Sequence, residues 1–306
     1  MENIFCDIMH DALKNGYAIG AFNFVNMESL YAICEEAEEL KSPVIVAISE
    51  GALKYMGENM FKAYKMAVKS QFSVPICFHL DHGKSVESVK RAIDLGFDSV
   101  MIDLSSLPFD ENVKGTKEIV GYAHLKNVGV EAELGTLSGV EDEVSNDVGK
   151  YTDPKQVKLF VDSTNVDALA IAIGTSHGAF KFAGEPKLRF DILEEIQNLV
   201  PDLPLVLHGA SSISQDTVNT INAYGGDIKG AKGIPDEFLS KASKMHICKV
   251  NTDSDLRLAY VGATRKILSE KLDLTDPRDI FKAGKKAQKE IIRSKIVDVF
   301  GSANRV

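Results

Sequence analysis

The strongest constraint on the fold is an alternation that runs through most of the 306 residues. Short apolar runs rich in β-branched residues alternate with longer segments of helical periodicity, which is typical of parallel strands joined by crossover helices. The predicted strands are Ala18–Phe22, Val44–Ala47, Ile76–His79, Ser99–Ile102, Val128–Glu133, Ala168–Ala172, Leu205–Leu207 and Ile247–Val250. The predicted helices are Met27–Leu40, Ser85–Leu95, Asn112–Lys126, Pro154–Ser163, Phe190–Asn198, Leu256–Glu270 and Arg278–Val299.

This pattern predicts an α/β fold, a (β/α)8 TIM barrel with extra C-terminal helices, formed by residues 1–306 as one domain. Such a barrel typically occupies about 250 residues. A doubly wound open sheet is the alternative. Its glycine-rich nucleotide-binding turn is missing after the first strand, where Phe22, Asn23 and Phe24 stand instead.

Three connections are unusually long and polar: Gly135–Thr152, Thr175–Leu188 and Ser211–Pro235. Long loops inside a compact domain are uncommon and often functional. All three follow predicted strands, so in a barrel they would lie at the carboxyl ends of the strands, where barrel active sites are found.

Composition narrows the class of partner. The formal net charge is −9 and no basic patch stands out, so nucleic-acid binding is not expected. Local donors can still bind an anionic substrate. The four cysteines show no Cys-x-x-Cys pairing. No signal peptide or membrane span is predicted, and a reducing cytoplasm is the expected location.

Three of the seven histidines are followed by glycine: His82, His177 and His208. Each of these pairs follows an apolar strand-like run, in ICFHLDHG, IAIGTSHG and LVLHG. The pattern places three imidazoles on one rim of the sheet, with small neighbours that allow close backbone approach. Three neutral imidazoles with an open coordination position are typical of a catalytic zinc site. The alternative is three unrelated histidines that hydrogen-bond at strand ends.

Acidic residues are predicted on the same rim. Asp81 directly precedes His82 and is a candidate general base. Glu131 and Glu133 have strand spacing and should point to one side. Glu133 is a candidate further ligand, Glu131 an interior or supporting polar residue, and Asp103 a candidate second metal site. For each acid, a solvated strand end is the alternative.

A phosphate site is predicted from small residues and backbone amides near three strand ends. Gly178, Gly209 and Ser211 lie close in sequence to the strands, and the turn 251–254 follows the last strand. A helix that begins near Ser254 would add its N-terminal amides. The HGASS segment could equally cap the following helix.

Taken together, these residues resemble the class II fructose-bisphosphate aldolases. The matching segments are GAFNF, SEGALKYMG, HLDHG, SVMIDLSS, EAELG, GVEDEVS, YTDP, IAIGTSHG, LVLHGASS, KVNTDSDLR and GSANRV, in order from residue 20 to the C-terminus. The resemblance implies zinc-dependent, reversible cleavage of fructose 1,6-bisphosphate to dihydroxyacetone phosphate and glyceraldehyde 3-phosphate.

The resemblance also implies roles at the metal. By this match, the zinc ligands are His82, His177 and His208. Glu133 resembles the acid that joins the metal in a buried alternative position. Asp81 resembles the acid/base at the C4 hydroxyl, and Glu141 the group that moves the proton at C3. Cobalt is an implied substitute for zinc.

The implied substrate-binding positions fall into three groups. The 1-phosphate positions are Gly178, Lys181, Gly209, Ser211, Asp253 and Ser254, with a monovalent cation (K⁺ or Na⁺) beside them. Asn251 matches a residue that contacts the bound ketose. Ser49, Arg257 and Arg278 match the 6-phosphate positions, and Arg278 would reach across from a neighbouring subunit of a homodimer or homotetramer.

Tagatose-bisphosphate aldolase is the nearest alternative, since its substrate differs only in configuration at C4. Asp253 replaces an alanine of the tagatose pattern, and Arg257 stands where those enzymes tend to carry lysine. A positioned polar partner discriminates strongly between epimers, because the wrong epimer leaves it unpaired. The sequence therefore favours the fructose substrate. Another metal-dependent barrel enzyme would share the histidines but not the phosphate residues and Glu141.

Overall fold

A computed structural model describes residues 3–141, 144–146, 149–177 and 187–306. The strands in this part of the chain are β1 (Ile19–Asn23), β2 (Val44–Ser49), β3 (Ile76–Gly83), β4 (Ser99–Ile102), β5 (Gly129–Leu134), β6 (Ser138–Glu141), β7 (Val144–Asn146), β8 (Ala168–Ile171), β9 (Ser176–His177), β10 (Leu205–Leu207) and β11 (Ile247–Thr252). Eight of them close into a parallel barrel in the order β1-β11-β10-β8-β5-β4-β3-β2. The predicted barrel is confirmed, and the open-sheet alternative is wrong because the ring of eight strands is closed, with β1 paired to both β2 and β11.

The helices of the described residues surround this barrel. They are α1 (Ile4–Asn15), α2 (Met27–Leu40), α3 (Glu50–Met56), α4 (Glu58–Gln71), α5 (Val86–Leu95), α6 (Phe109–His124), α7 (Pro154–Thr164), α8 (Phe190–Leu199), α9 (Gln215–Ala223), α10 (Asp236–Ser243), α11 (Ser254–Glu270) and α12 (Pro277–Ser294), followed by a π-helix (Lys295–Phe300). The bounds predicted for α2 are confirmed. None of these helices is both long and apolar enough to cross a bilayer.

Several sequence-based boundaries need correction. The predicted helix Asn112–Lys126 begins earlier, at Phe109 directly after Pro108, and the predicted helix Arg278–Val299 changes to π-helical geometry after Ser294. The stretch Ser211–Pro235 is not loop throughout, because α9 lies inside it. Its helical signal is weak, since only Val218 and Ile221 are buried in that helix.

Helix α1 closes the amino-terminal end of the barrel, although the sequence interpretation assigned no helix there. The Asn3 side chain caps it by accepting hydrogen bonds from the amides of Phe5 and Cys6. The Phe5 ring is fully buried and stacks on His79, with the ring centroids 5.8 Å apart. It fits because the facing residue is Gly129, where a Cβ atom would lie 2.6 Å from the ring.

A small second sheet covers part of the opposite, carboxyl-terminal rim. Strands β6 and β7 pair as an antiparallel hairpin within Gly135–Thr152, and β9 pairs in parallel with β6. Two of the stretches predicted as loops therefore contain strands. This sheet places the backbone of His177 opposite Gly139, on the strand that ends at Glu141.

Candidate active site

Asp81 and His82 reach the same pocket although they are neighbours on one strand. Adjacent residues of a regular strand point to opposite faces. His82 has a left-handed backbone (φ 47°), and the register of β3 against β4 shifts between Leu80 and Gly83. His82 Nε2 consequently lies 4.0 Å from Asp81 Oδ1. Such a conformation costs a non-glycine residue about 1–2 kcal/mol, and outliers of this kind cluster at functional sites.

Two asparagines hold the Asp81 carboxylate in place. Asn23 Nδ2, at the end of β1, donates to Asp81 Oδ2 over 2.8 Å, and Asn251 Nδ2, on β11, donates to Oδ1 over 2.9 Å. Asn251 was predicted to contact substrate, and in the structure its amide nitrogen contacts Asp81. Asn23 was missed. Its signal was a polar residue between two phenylalanines at the end of a strand.

Asp103 lies behind the His82 ring. His82 Nδ1 is 3.0 Å from Asp103 Oδ2, and Asp103 also accepts hydrogen bonds from the amide and hydroxyl of Ser105. A carboxylate acceptor at Nδ1 fixes the tautomer and directs Nε2 towards Asp81. Ligand atoms of His82, Asp103 and Glu133 also lie within 4.8 Å of one another. Asp103 thus both supports His82 and belongs to a second candidate cation-binding group.

His208, directly after β10, approaches from the other side. Its Nε2 is 2.7 Å from Glu131 Oε1 and its Nδ1 is 4.0 Å from Asp81 Oδ1. Its ring meets that of His82 edge to face, with centroids 4.5 Å apart. The next residue, Gly209, has a φ of 60° and lies close to the Ser176 backbone, since a Cβ there would lie 2.7 Å from the Ser176 carbonyl.

Ligand atoms of Asp81, His82 and His208 lie within 4.8 Å of one another, which allows them to surround one cation. The two imidazoles present different nitrogens to this position, Nε2 of His82 and Nδ1 of His208. The side chains of His177 and Glu141, and the whole of Gly178 and Lys181, lie outside the described residues. Their predicted roles stay predictions.

The electrostatics of this cluster favour a bound cation. Burial opposes the charging of His82, but Asp81, the hydrogen bond to Asp103 and the charge of Glu133 outweigh it and raise the pKa of His82 to about 10. Burial, together with repulsion from Asp103, raises the pKa of Glu133 well above its usual value. The negative charge of the carboxylates therefore stabilises a positive charge at the His82 ring. A divalent ion would supply that charge and would compete with the proton for His82 Nε2.

Predicted phosphate-site residues lie side by side at the ends of the adjacent strands β10 and β11. Helix α11 begins at Ser254, as expected, and the Asp253 amide donates to Ser211 Oγ over 3.4 Å. Arg257 Nε donates to Asp253 Oδ1 over 2.7 Å. Gly209, Ser211, Asp253, Ser254 and Arg257 are therefore brought together on one part of the rim.

Ser49 and Arg278, two of the predicted 6-phosphate residues, lie apart from this group. Ser49 ends β2 beside Asp81 in the sheet register, and its hydroxyl caps α3. Arg278, at the start of α12, is largely exposed and paired with Asp276. Among the described residues it contacts no other predicted site residue of its own chain.

Comparison with known proteins shows which proteins this chain resembles in sequence and fold. A family model described as fructose-bisphosphate aldolase class-II matches residues 4–227 and 228–305. The chain is 49% identical to a fructose-bisphosphate aldolase of Giardia intestinalis, covering 97% of this chain and 92% of that protein. It is 46% identical to that of Helicobacter pylori strain J99, over 98% of both chains.

A solved structure shows the same relationship in three dimensions. The YdjI aldolase of Escherichia coli K12 superimposes with a TM-score of 0.78 at 32% identity, covering 98% of this chain and 97% of that one. Both the sequence and the barrel therefore have close counterparts in one group of aldolases. The chain belongs to the class II fructose-bisphosphate aldolase family.

Proposed function

We propose that this chain catalyses the reversible aldol cleavage of fructose 1,6-bisphosphate to dihydroxyacetone phosphate and glyceraldehyde 3-phosphate, a step of glycolysis and gluconeogenesis. Residues 1–306 would act as one barrel domain. The observation that carries the proposal is the meeting of Asp81, His82 and His208 within 4.8 Å at the carboxyl rim of the barrel. The family is metal-dependent, and the two imidazoles of this group suit a catalytic zinc ion.

In this proposal, His82 Nε2 and His208 Nδ1 hold the metal, with His177 as the third ligand and Glu133 as a ligand in a deeper position. Zinc is the expected ion and cobalt a substitute. When bound, the ion supplies Lewis-acid stabilisation of the negative charge that develops on the ketose oxygens.

The role of His177 is supported by its place in the chain. His177 ends β9, which follows β8 after a short connection, and His208 directly follows β10. Strands β8 and β10 are neighbours in the barrel, so the residues that follow them start from adjacent parts of the rim.

Asp81 is the proposed acid/base. It removes the proton from the C4 hydroxyl as the C3–C4 bond breaks, and glyceraldehyde 3-phosphate leaves as the aldehyde. The electron pair stays with the three-carbon fragment, and Glu141 delivers a proton to C3 to complete dihydroxyacetone phosphate. The hydrogen bonds from Asn23 and Asn251 support the first step, because they hold both carboxylate oxygens in fixed positions.

The substrate phosphates would be bound at two places. Amides and hydroxyls of Gly178, Gly209, Ser211, Asp253 and Ser254, with Lys181, would hold the 1-phosphate, next to a K⁺ or Na⁺ ion. Ser49, Arg257 and Arg278 would hold the 6-phosphate. The exposure of Arg278 within its own chain suits a residue that serves a neighbouring subunit, which requires a homodimer or homotetramer.

The proposed preference for fructose over tagatose has a physical basis in an ion pair. Asp253 and Arg257, the two positions that depart from the tagatose pattern, are bonded to each other over 2.7 Å. They therefore act as one unit, and the arginine fixes where the carboxylate lies relative to the sugar. A cytoplasmic location stays a prediction.

The test is a parallel assay of both bisphosphates with and without a chelator. Chelation is expected to abolish cleavage of fructose 1,6-bisphosphate, and added Zn²⁺ or Co²⁺ to restore it. Tagatose 1,6-bisphosphate should be the poorer substrate. If activity resists chelation and borohydride traps a covalent intermediate between enzyme and substrate, the reaction uses a lysine Schiff base and the metal mechanism is rejected.

A further inference from the structure

A buried ion pair lies inside the barrel beneath the candidate metal centre. Lys249 projects from β11 and Glu131 from β5, strands that are not neighbours in the sheet. The Lys249 ammonium lies 3.1 Å from Glu131 Oε1 and 2.9 Å from Oε2. Both side chains have no exposed surface. The proposed aldol reaction uses neither residue.

Packing alone is a weak explanation for a buried ion pair at this position. Taking two charges out of water is costly, and a buried ion pair can often be replaced by apolar side chains of similar volume without loss of stability. The interior of the barrel is otherwise largely lined by small and apolar side chains such as Ala21, Ala170 and Val206. The reason for the pair is therefore sought in the other side chains that it contacts.

The contact that matters is with His208. Glu131 Oε1 receives the Lys249 ammonium and also lies 2.7 Å from His208 Nε2. Because the ammonium can only donate, Glu131 Oε1 acts as an acceptor, and His208 Nε2 must then donate its proton to the same carboxylate oxygen. Nδ1, on the other side of the ring, is directed towards Asp81.

We propose that Lys249 and Glu131 are positioning residues that fix the tautomer and orientation of His208, and thereby set the affinity of the metal centre. The inference rests on the proposed role of His208 as a ligand. His82 has its own supporting carboxylate, Asp103, which is held by Ser105. The His208 side differs in that a buried ammonium holds the supporting carboxylate.

Two variants test the proposal. K249M removes the ammonium and leaves the Glu131 carboxylate without it. E131Q/K249M removes both charges and avoids an unpaired buried charge. In the double variant, the new amide side chain can turn either its oxygen or its NH₂ group towards His208, so the ring is no longer held in one tautomer. Mutation of such supporting partners typically weakens metal binding about 10- to 100-fold.

The measurement is zinc affinity of the purified full-length apoprotein, by titration against a chromophoric chelator. Co²⁺ absorption spectra of the same proteins report the coordination of the metal. K295M is the matched control, because Lys295 is also buried and ion-paired, with Asp236, but contacts no candidate ligand among the described residues. Thermal unfolding of each apoprotein separates loss of fold from loss of metal.

Weaker zinc binding and an altered cobalt spectrum in both variants, with wild-type values in K295M, are the expected results. If K249M does not fold, the double variant carries the test. A folded double variant with wild-type zinc affinity and cobalt spectrum would overturn the proposal. The zinc titration contains no sugar substrate, so its result does not depend on the proposed aldol reaction. If the wild-type protein binds zinc but does not cleave fructose 1,6-bisphosphate, the proposed function is rejected and the zinc test remains valid.

Discussion

Asn23→Ala is the sharpest test of how Asp81 is held. The substitution removes the hydrogen bond of 2.8 Å from Asn23 Nδ2 to Asp81 Oδ2 and leaves the bond from Asn251 in place. Asp81 is buried, so water does not readily replace the lost donor. The carboxylate should then turn away from the position that the proposed proton transfer requires.

The size of the effect follows from the kind of bond. A hydrogen bond to a charged group contributes about 1.5–3 kcal/mol, which corresponds to a loss of about 10- to 150-fold in kcat if the whole bond acts in the transition state. Zinc content should stay at the wild-type level, because Asn23 contacts the carboxylate and neither imidazole among the described contacts. Cleavage is followed by a coupled triose-phosphate assay, and zinc by elemental analysis.

Asn26→Ala is the matched control. Asn26 lies three residues further on and caps α2, where its side chain accepts a hydrogen bond from the Ser29 amide. Loss of such a cap costs about 1 kcal/mol of stability and should leave kcat unchanged. A wild-type kcat in fully zinc-loaded Asn23→Ala protein would refute the idea that this bond positions Asp81.

Three further predictions can be checked with the same protein. Asp81→Ala should reduce kcat by about 10²- to 10⁴-fold while zinc is retained, and loss of zinc instead would show that Asp81 is mainly a ligand. Asp253→Ala removes the ion pair between Asp253 and Arg257 and should lower the ratio of the specificity constants for fructose and tagatose bisphosphate. An unchanged ratio would contradict the proposed role of Asp253 in substrate preference. Burial raises the pKa of each of the four cysteines to about 12, so iodoacetamide at a pH of about 7.5 should neither label nor inactivate the native enzyme, and rapid labelling would disprove this.

The barrel could be predicted because its strands are buried on both faces and appear as short continuous apolar runs. Strand β3 shows the limit of that signal. The run ends at His79 in the sequence, but the strand continues through Asp81 to Gly83, since polar residues at its end face the site. Helix α9 was missed for a related reason, because it buries too few residues to show a helical period.

The site was predictable where it depends on residues close together in sequence. His82 and Asp81 form one motif, and His208 shares its pattern. Residues that meet only across the barrel were not predictable in the same way. Lys249 and Glu131 are separated by 118 positions, and no local pattern indicates that they face each other. Asn23 was missed because its role depends on a contact with another strand.

The left-handed residue at position 82 has a consequence for protein design. It allows two consecutive residues to direct a carboxylate and an imidazole into one pocket, which a regular strand cannot do. Copying the side chains onto the strand ends of another barrel would therefore leave one of them facing the outer helices. A transplanted centre would also need the backbone turn at His82 and the glycine after it, where a Cβ would lie 2.7 Å from the Met101 carbonyl oxygen.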